Sequence, residues 1–137
     1  MRRRIITSLM AALLPAIVVG TTATAGGTSG VPDSPARTWG TNGRVTAVLP
    51  VGAIVIVGGD FTAVTDTSGR SYPAARLAKY LPATGTFDLT WAPSTTGPVY
   101  ALASSGDRLL VGGNFSKLDG RSHASLGAVS LSTGDLD

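Results

Sequence analysis

The chain has 137 residues, a formal net charge of +3 and no cysteine, so it holds one modest domain that no disulfide can cross-link. Three of its basic residues, Arg2 to Arg4, lie close to the N-terminus. After Ala25 the chain has eight basic residues and eight aspartates, which are scattered through its turns. This neutral balance, without a basic stripe, argues against nucleic acid and against an anionic membrane surface as partners.

Residues 1–25 have the pattern of a secretory signal peptide. The basic start is followed by an apolar run from Ile5 to Gly20 and by the small residues Ala23-Thr24-Ala25. A membrane anchor is the alternative, but the run has 16 residues, is interrupted by Pro15, and falls short of the roughly 20 that a spanning helix needs. We therefore expect cleavage before Gly26, secretion to the extracellular space, and no membrane attachment after cleavage.

Residues 26–38 are rich in Gly, Ser, Thr and Pro and have no periodicity, which predicts a flexible linker. The ordered domain is expected at residues 39–137, where one unit occurs twice. The motif Val57-Gly58-Gly59-Asp60-Phe61 returns 54 positions later as Val111-Gly112-Gly113-Asn114-Phe115. Later motifs recur after 51 and then 49 positions, so the second copy is shorter in its loops. The first repeat is residues 39–90 and the second is residues 91–137.

Each repeat consists of short runs rich in β-branched residues and bounded by turn residues, which indicates strands. The run Ile54-Val55-Ile56-Val57 is apolar on both faces, so this strand should be covered on both sides. Four antiparallel strands in about 50 residues, repeated, predict an all-β partial β-propeller, with a β-sandwich as the alternative. The predicted strands are 44–49, 53–57, 75–81 and 86–89 in the first repeat, and 99–103, 109–111, 125–131 and one starting at Asp135 in the second.

The motifs of the two repeats also follow a characteristic order. Val-Gly-Gly-Asp/Asn-Phe precedes a third strand at Arg76-Leu77-Ala78, then Thr-Gly-x-Phe/Leu-Asp, then Trp91-Ala92-Pro93. Over residues 39–137 this order resembles the delta-sixty β-propeller repeats of secreted bacterial proteins, although Trp39-Gly40-Thr41 lacks the proline of the second copy. The resemblance implies a propeller-type fold and an extracellular location. It implies no reaction, because no catalytic residue set defines the family.

The glycine pairs of the repeated motif have two interpretations. They are candidates for presenting backbone N–H groups to an anion. We favour a structural role, because no helix follows and because glycine allows positive φ, a bulge or a close backbone approach at the end of a buried strand. Asp60 and Asn114 then suit an Asx-type turn. The aromatic residues are expected to be core anchors, with an exposed sugar-binding platform as the alternative; they are Phe61, Phe87, Trp91 and Phe115.

Polar residues in and beside the repeated motifs are the candidates for ligand binding: Asp60, Asn114, Arg70, Arg121 and His123. The two arginines are more simply explained if they brace a loop carbonyl or pair with Asp66 and Asp119. A single histidine without cysteine or glutamate argues against zinc, and residues 66–69 lack the ligand spacing of a calcium loop. No catalytic residue, cofactor or metal ligand is assigned from the sequence.

These observations favour a secreted or cell-surface repeat module that serves as a structural or binding scaffold. Its expected partners are further repeats or domains of a longer chain, and extracellular carbohydrate or protein. The alternative is the N-terminal part of a secreted propeller enzyme that acts on carbohydrate or oxidises a small substrate. Two sheets do not close a ring of typically four to eight blades, so residues 39–137 alone are expected to be marginally stable or self-associating.

Overall fold

The structure is a computed structural model that describes residues 37–137. Within this range the chain is all-β with antiparallel pairing, as predicted, and holds no helix long and apolar enough to cross a membrane. The predicted signal peptide and most of the predicted linker lie outside the described residues. The strands are β1 (Gly40–Thr41), β2 (Arg44–Val51), β3 (Ile54–Asp60), β4 (Ala63–Thr65), β5 (Ser71–Pro73), β6 (Leu77–Leu81), β7 (Thr86–Phe87), β8 (Val99–Ser105), β9 (Arg108–Gly113), β10 (Lys117–Leu118), β11 (Arg121–Ser122) and β12 (Leu126–Ser130).

Each repeat forms one larger antiparallel sheet. Sheet 1 has the strand order β2-β3-β6-β7, and sheet 2 has the order β12-β9-β8. A bridge between Val129 and Leu136 lies beside β12, where the sequence predicts a fourth strand starting at Asp135. The two sheets therefore follow the same strand order, and residues 54 or 49 positions apart occupy equivalent places in them.

The third strand of each repeat starts later than predicted. β6 begins at Leu77 and β12 at Leu126, because the residues before them have left-handed backbone conformations, with φ of 70° at Arg76 and 66° at Ser125. In both repeats this residue donates its N–H to the phenylalanine carbonyl of the repeated motif, at 3.0 Å for Arg76 and 2.9 Å for Ser125. The bend is therefore a repeated part of the fold, and the predicted starts at residues 75 and 125 are wrong.

A smaller sheet accompanies each larger one and was not predicted. β1, β4 and β5 form it in the first repeat, whereas the second has the β10–β11 hairpin and a bridge between Thr95 and Leu118. These strands have two or three residues, which is too short for an alternating pattern to show in the sequence. The second hairpin turns through Asp119-Gly120, both with positive φ, as in a two-residue type I′ turn. This tight turn explains where the second repeat lost residues.

The main core lies between sheet 1 and sheet 2. Ile56 and Leu77 of sheet 1 pack against the adjacent face of sheet 2, and all of these apolar side chains are buried. Burial of this apolar surface is the main stabilising contribution to the fold. The other buried residues of this cluster are Trp91, Val99, Leu109, Val111, Phe115, Leu118, Val129 and Leu131.

A second cluster covers part of the opposite face of sheet 1. Phe61 and Val64 are buried there, and Trp39 stacks on Tyr72 with ring centroids 5.5 Å apart. Of the apolar run Ile54 to Val57, only Ile56 is fully buried and the other three residues are half-buried, so the predicted full cover of both faces is not found. Phe61, Phe115 and Trp91 are core residues, as predicted, whereas Phe87 is half-buried.

The glycine pairs lie inside β3 and β9. Their structural role agrees with the predicted bulge and close backbone approach but not with the predicted positive φ. None of the four has positive φ, so the expectation of a left-handed turn is wrong. A Cβ atom at Gly59 would overlap the carbonyl oxygen of Arg44 and lie 2.9 Å from the Cα of Val45. Gly113 meets the backbone of β8 in the same way, and both partner strands carry a bulge at this point. The close backbone approach and the bulge that the sequence suggested are therefore confirmed.

A buried ion pair joins sheet 1 to the core. Lys79 is 8% exposed, its Nζ lies 2.9 Å from Asp88 Oδ2, and it sits 5.7 Å from the centroid of the Trp91 ring. The hydroxyl of Thr90 also donates to Asp88, at 2.6 Å. The hydrogen bond from Thr90 and that from the Lys79 ammonium lower the pKa of Asp88 to about 2.

Replacing Asp88 with Asn should lower the free energy of unfolding by about 2 kcal/mol at neutral pH, because the buried Lys79 then loses the carboxylate that it contacts directly. The pKa of Asp88 rises to an ordinary value near 3.8 on unfolding, so its stabilising contribution is present above that pH and is lost as the pH falls toward 2. Urea denaturation at several pH values should show the gap between wild type and D88N closing on acidification. Asp119→Asn, in an exposed turn, is the control. A gap that stays constant down to pH 2 would contradict the ion-pair role.

Candidate functional site

A polar groove lies where the inner strands of the two larger sheets adjoin. It has a volume of about 260 Å³ and is called the β2–β8 groove here. Its lining comes from the start of β2, the end of β3 and the start of β8: Arg44, Thr46, Asp60, Pro98 and Tyr100. The groove therefore combines a guanidinium, a carboxylate, two hydroxyl groups and an aromatic ring.

Backbone pairing sets the positions of the groove residues. Arg44 and Asp60 are direct partners in the β2–β3 register, at the end of the hairpin where Gly59 allows close approach. The hydroxyl of Thr46 donates to the carbonyl of Val99 and so links β2 to β8. This contact fixes the distance between the two walls of the groove, because each wall is a strand of a rigid sheet.

Asp60 forms an ion pair with Arg76 of the same repeat. The Nε of Arg76 lies 3.6 Å from Asp60 Oδ1, and its NH1 donates to the carbonyl of Thr95 at 2.8 Å. That Nε atom is buried and forms no hydrogen bond with the residues that the structure describes. The side chain of Asp60 stays mostly exposed, so its carboxylate remains free to accept hydrogen bonds from a ligand.

The groove is also where the two repeats differ. Gly43, Val45 and Gly59 of the framework recur as the same residue types 54 positions later. The groove positions do not: Arg44 and Thr46 correspond to Pro98 and Tyr100, and Asp60 corresponds to Asn114. Many positions outside the groove differ as well, such as Val48 and Leu102 or Ile54 and Arg108.

Of the five binding residues predicted from the sequence, the structure places Asp60 in the lining of the groove and the other four outside it. Asn114 is exposed at the end of β9, and its N–H donates to the carbonyl of Pro98 at 2.9 Å. Arg70 lies in the loop before β5, and Arg121 and His123 lie in and after β11. Sequence reasoning missed Arg44, Thr46, Tyr100 and Arg76; comparing the two copies for positions where they differ would have found the first three.

The Asx-type turn expected at Asp60 and Asn114 is formed elsewhere. Asp66 accepts the N–H groups of Ser68 and Arg70 at 2.8 and 2.9 Å. The hydroxyl of Ser68 is the main cause of the pKa of Asp66 being lowered to about 2. Arg70 thus meets Asp66 through its backbone, and among residues 37–137 neither Arg70 nor Arg121 forms an ion pair.

The backbone N–H groups that follow each repeated motif are hydrogen-bonded by the side chain of a residue about 20 positions earlier. Asn42 Oδ1 accepts the N–H groups of Thr62 and Ala63, each at 2.9 Å. In the second repeat the hydroxyl of Thr96, 54 positions after Asn42, does the same for Ser116 at 3.0 Å and for Lys117 at 3.1 Å. These long-range caps replace the local turns that the sequence suggested.

The chemistry of the groove suits recognition of a polar ligand more than catalysis. Its lining has one carboxylate, whereas glycoside hydrolysis normally uses a pair of carboxyl groups. Within the described part of the chain, no group of three or more His or Asp side chains is placed to hold a metal ion. The groove offers donors from Arg44, an acceptor at Asp60 and the exposed ring of Tyr100.

In comparisons with known proteins, no protein-family model, curated protein or solved structure matches the chain.

Proposed function

We propose that this chain is an exported propeller-type repeat module, of the delta-sixty kind, that acts as a binding scaffold for extracellular carbohydrate. The ligand site is the β2–β8 groove, which takes a single sugar unit. The observation that carries the proposal is the conjunction of Arg44, Asp60 and Tyr100 in one groove. Export is proposed from residues 1–25 of the sequence alone.

The groove matches a sugar in size and in hydrogen-bonding groups. Its volume of about 260 Å³ lies just below the roughly 300–1,000 Å³ of the pockets that bind drug-sized ligands. A carboxylate accepts hydrogen bonds from ligand hydroxyls, and a guanidinium donates to ligand oxygens. The ring of Tyr100 offers an apolar face beside these groups, which suits the C–H face of a pyranose.

The stacking of the two sheets supports the scaffold part of the proposal. Sheet 1 presents one face to sheet 2, and the equivalent face of sheet 2 points away from sheet 1. Such a head-to-tail arrangement of similar sheets is the arrangement found between propeller blades. The ligand groove then lies at the junction of two successive sheets, as ligand sites in repeat proteins often do.

Exchanging groove residues between the repeats tests the ligand site. Asp60→Asn and Tyr100→Thr each introduce the residue found at the equivalent position of the other repeat, so the fold should tolerate them. Titration of a panel of neutral monosaccharides and disaccharides, followed by NMR or calorimetry, should identify a ligand. We expect Asp60→Asn to weaken binding at least tenfold, since a charge-assisted hydrogen bond contributes about 1.5–3 kcal/mol. We expect Tyr100→Thr to weaken binding as well, because it removes the ring face that packs against the sugar.

Asn114→Asp is the matched control, because it makes the reciprocal exchange outside the groove lining. It should leave sugar affinity unchanged. If no sugar in the panel binds, or if Asn114→Asp weakens binding as much as Asp60→Asn does, the carbohydrate proposal is wrong. Thermal melts of all three variants confirm that they are folded before binding is compared.

A further inference from the structure

One face of sheet 2 is apolar and is not covered by any described residue. It forms a shallow hollow of about 210 Å³, in which Leu110 is 41% exposed and Leu126 is 62% exposed. Arg108 lies at the end of this face and pairs with Asp137, which leaves the centre apolar. We call this surface the leading face; it is defined by Ala101, Ala103, Leu110, Gly112 and Leu126.

The equivalent face of sheet 1 is covered by sheet 2. Ile56 and Leu77, which correspond to Leu110 and Leu126, are 0% and 1% exposed. Gly58, which corresponds to Gly112, lies so close to sheet 2 that an added Cβ would be 2.7 Å from Val99 Cγ1. The leading face is therefore equivalent in position to the face of sheet 1 that packs against sheet 2, although Ile54 of that face corresponds to Arg108.

The opposite face of sheet 1 is equivalent to the face of sheet 2 that covers sheet 1, but it is only partly covered. In sheet 2 the residues that cover sheet 1 include Leu109, Val111 and Val129, all of which are fully buried. Their counterparts in sheet 1 are half-buried, and Val48, the counterpart of the half-buried Leu102, is 60% exposed. We call this surface the trailing face; it is defined by Val48, Val55, Val57 and Tyr80.

We propose that the leading face of one copy of this chain docks onto the trailing face of a second copy. Each copy carries both halves of an interface whose packing is already realised once, between its own two sheets. The contact is head-to-tail, so it leaves one free face on each side and repeats until the rotation closes a ring. If each copy contributes only the two larger sheets of residues 37–137, rings of typically four to eight sheets correspond to about two to four copies.

Light scattering coupled to size exclusion, applied over a range of concentrations to the secreted protein that is expected to begin at Gly26, should show a closed oligomer of a few copies. Leu126→Asp disrupts the leading face and Val48→Asp the trailing face, and each alone should give smaller species. Both side chains are largely exposed in the single chain, so both variants should fold. Leu89→Asp, at an exposed leucine outside the two faces, is the control and should keep the oligomer.

Mixing the two disrupted variants distinguishes head-to-tail docking from other modes. Leu126→Asp retains a trailing face and Val48→Asp retains a leading face, so the mixture should form one-to-one dimers that neither variant forms alone. Failure to form these mixed dimers overturns the head-to-tail contact. A wild-type chain that stays monomeric at about 100 μM, well above the Kd of a stable dimer, would show that a second copy does not cover the leading face. Further repeats of a longer chain would then be the partner of this face.

Discussion

Gly113→Ala should lower the free energy of unfolding by about 1–3 kcal/mol or more, whereas Gly112→Ala, one residue earlier in β9, should change it by less than about 1 kcal/mol. A Cβ at Gly113 would overlap the carbonyl oxygen of Pro98 and lie 2.9 Å from the Cα of Val99, so the backbone of β8 would have to move. Overpacking that forces backbone shifts costs about 1–3 kcal/mol or more. A domain of this size has a total stability of only about 5–15 kcal/mol.

Gly112 is the matched control for this effect. A Cβ there would lie 3.6 Å from the Cβ of Ala101, which is an ordinary contact. Thermal or urea unfolding of both variants, each measured in the Leu126→Asp background so that self-association does not contribute, makes the comparison direct. Equal stability of the two variants would contradict the role of Gly113 in allowing the close backbone approach of β8 and β9.

Trp91→Ala should lower the free energy of unfolding by about 3–5 kcal/mol, the cost usually found for a buried tryptophan. The Trp91 ring is buried between the sheets, and its Nε1 donates to the carbonyl of Ser130 at 3.1 Å. Its loss would also remove the aromatic surface beside the buried ammonium of Lys79. Urea denaturation followed by circular dichroism measures the change.

Trp39, the corresponding tryptophan of the first repeat, is the control. It is half-buried and contacts Tyr72 and Phe87 at the end of the described chain. Trp39→Ala should therefore cost clearly less than Trp91→Ala, about 1–2 kcal/mol, because less apolar area is lost. If the two substitutions cost the same, the burial difference between the repeats does not hold in solution.

Much of the fold could be predicted from the sequence because its signals are local. The repeat is visible from Val57-Gly58-Gly59 and its copy, and the strands of the larger sheets follow from short β-branched runs between turn residues. The burial of Phe61 and Trp91 follows from their size and polarity. The small sheets escaped prediction because strands of two or three residues, such as β1 and β10, are too short to carry a pattern.

The candidate site could be predicted only in part. Asp60 was nominated because it belongs to the repeated motif, but Arg44 and Tyr100 join it only when β2 and β8 adjoin. These two residues are 56 positions apart, and no spacing in the chain indicates that they share a groove. Likewise, Asn42 replaces the local Asx turn because pairing of β1 with β4 brings it beside Thr62.

The sequence by itself determined that the chain repeats, that it is all-β, and which residues are apolar enough to be buried. Only the tertiary structure decided which of two equivalent residues is covered, since Ile56 and Leu110 have the same place in the repeat and differ solely in what lies across from them. It also decided that the glycine pairs serve backbone contact between strands instead of positive φ. The physical reason is that composition and periodicity report local preferences, whereas contact between faces depends on how whole sheets stack.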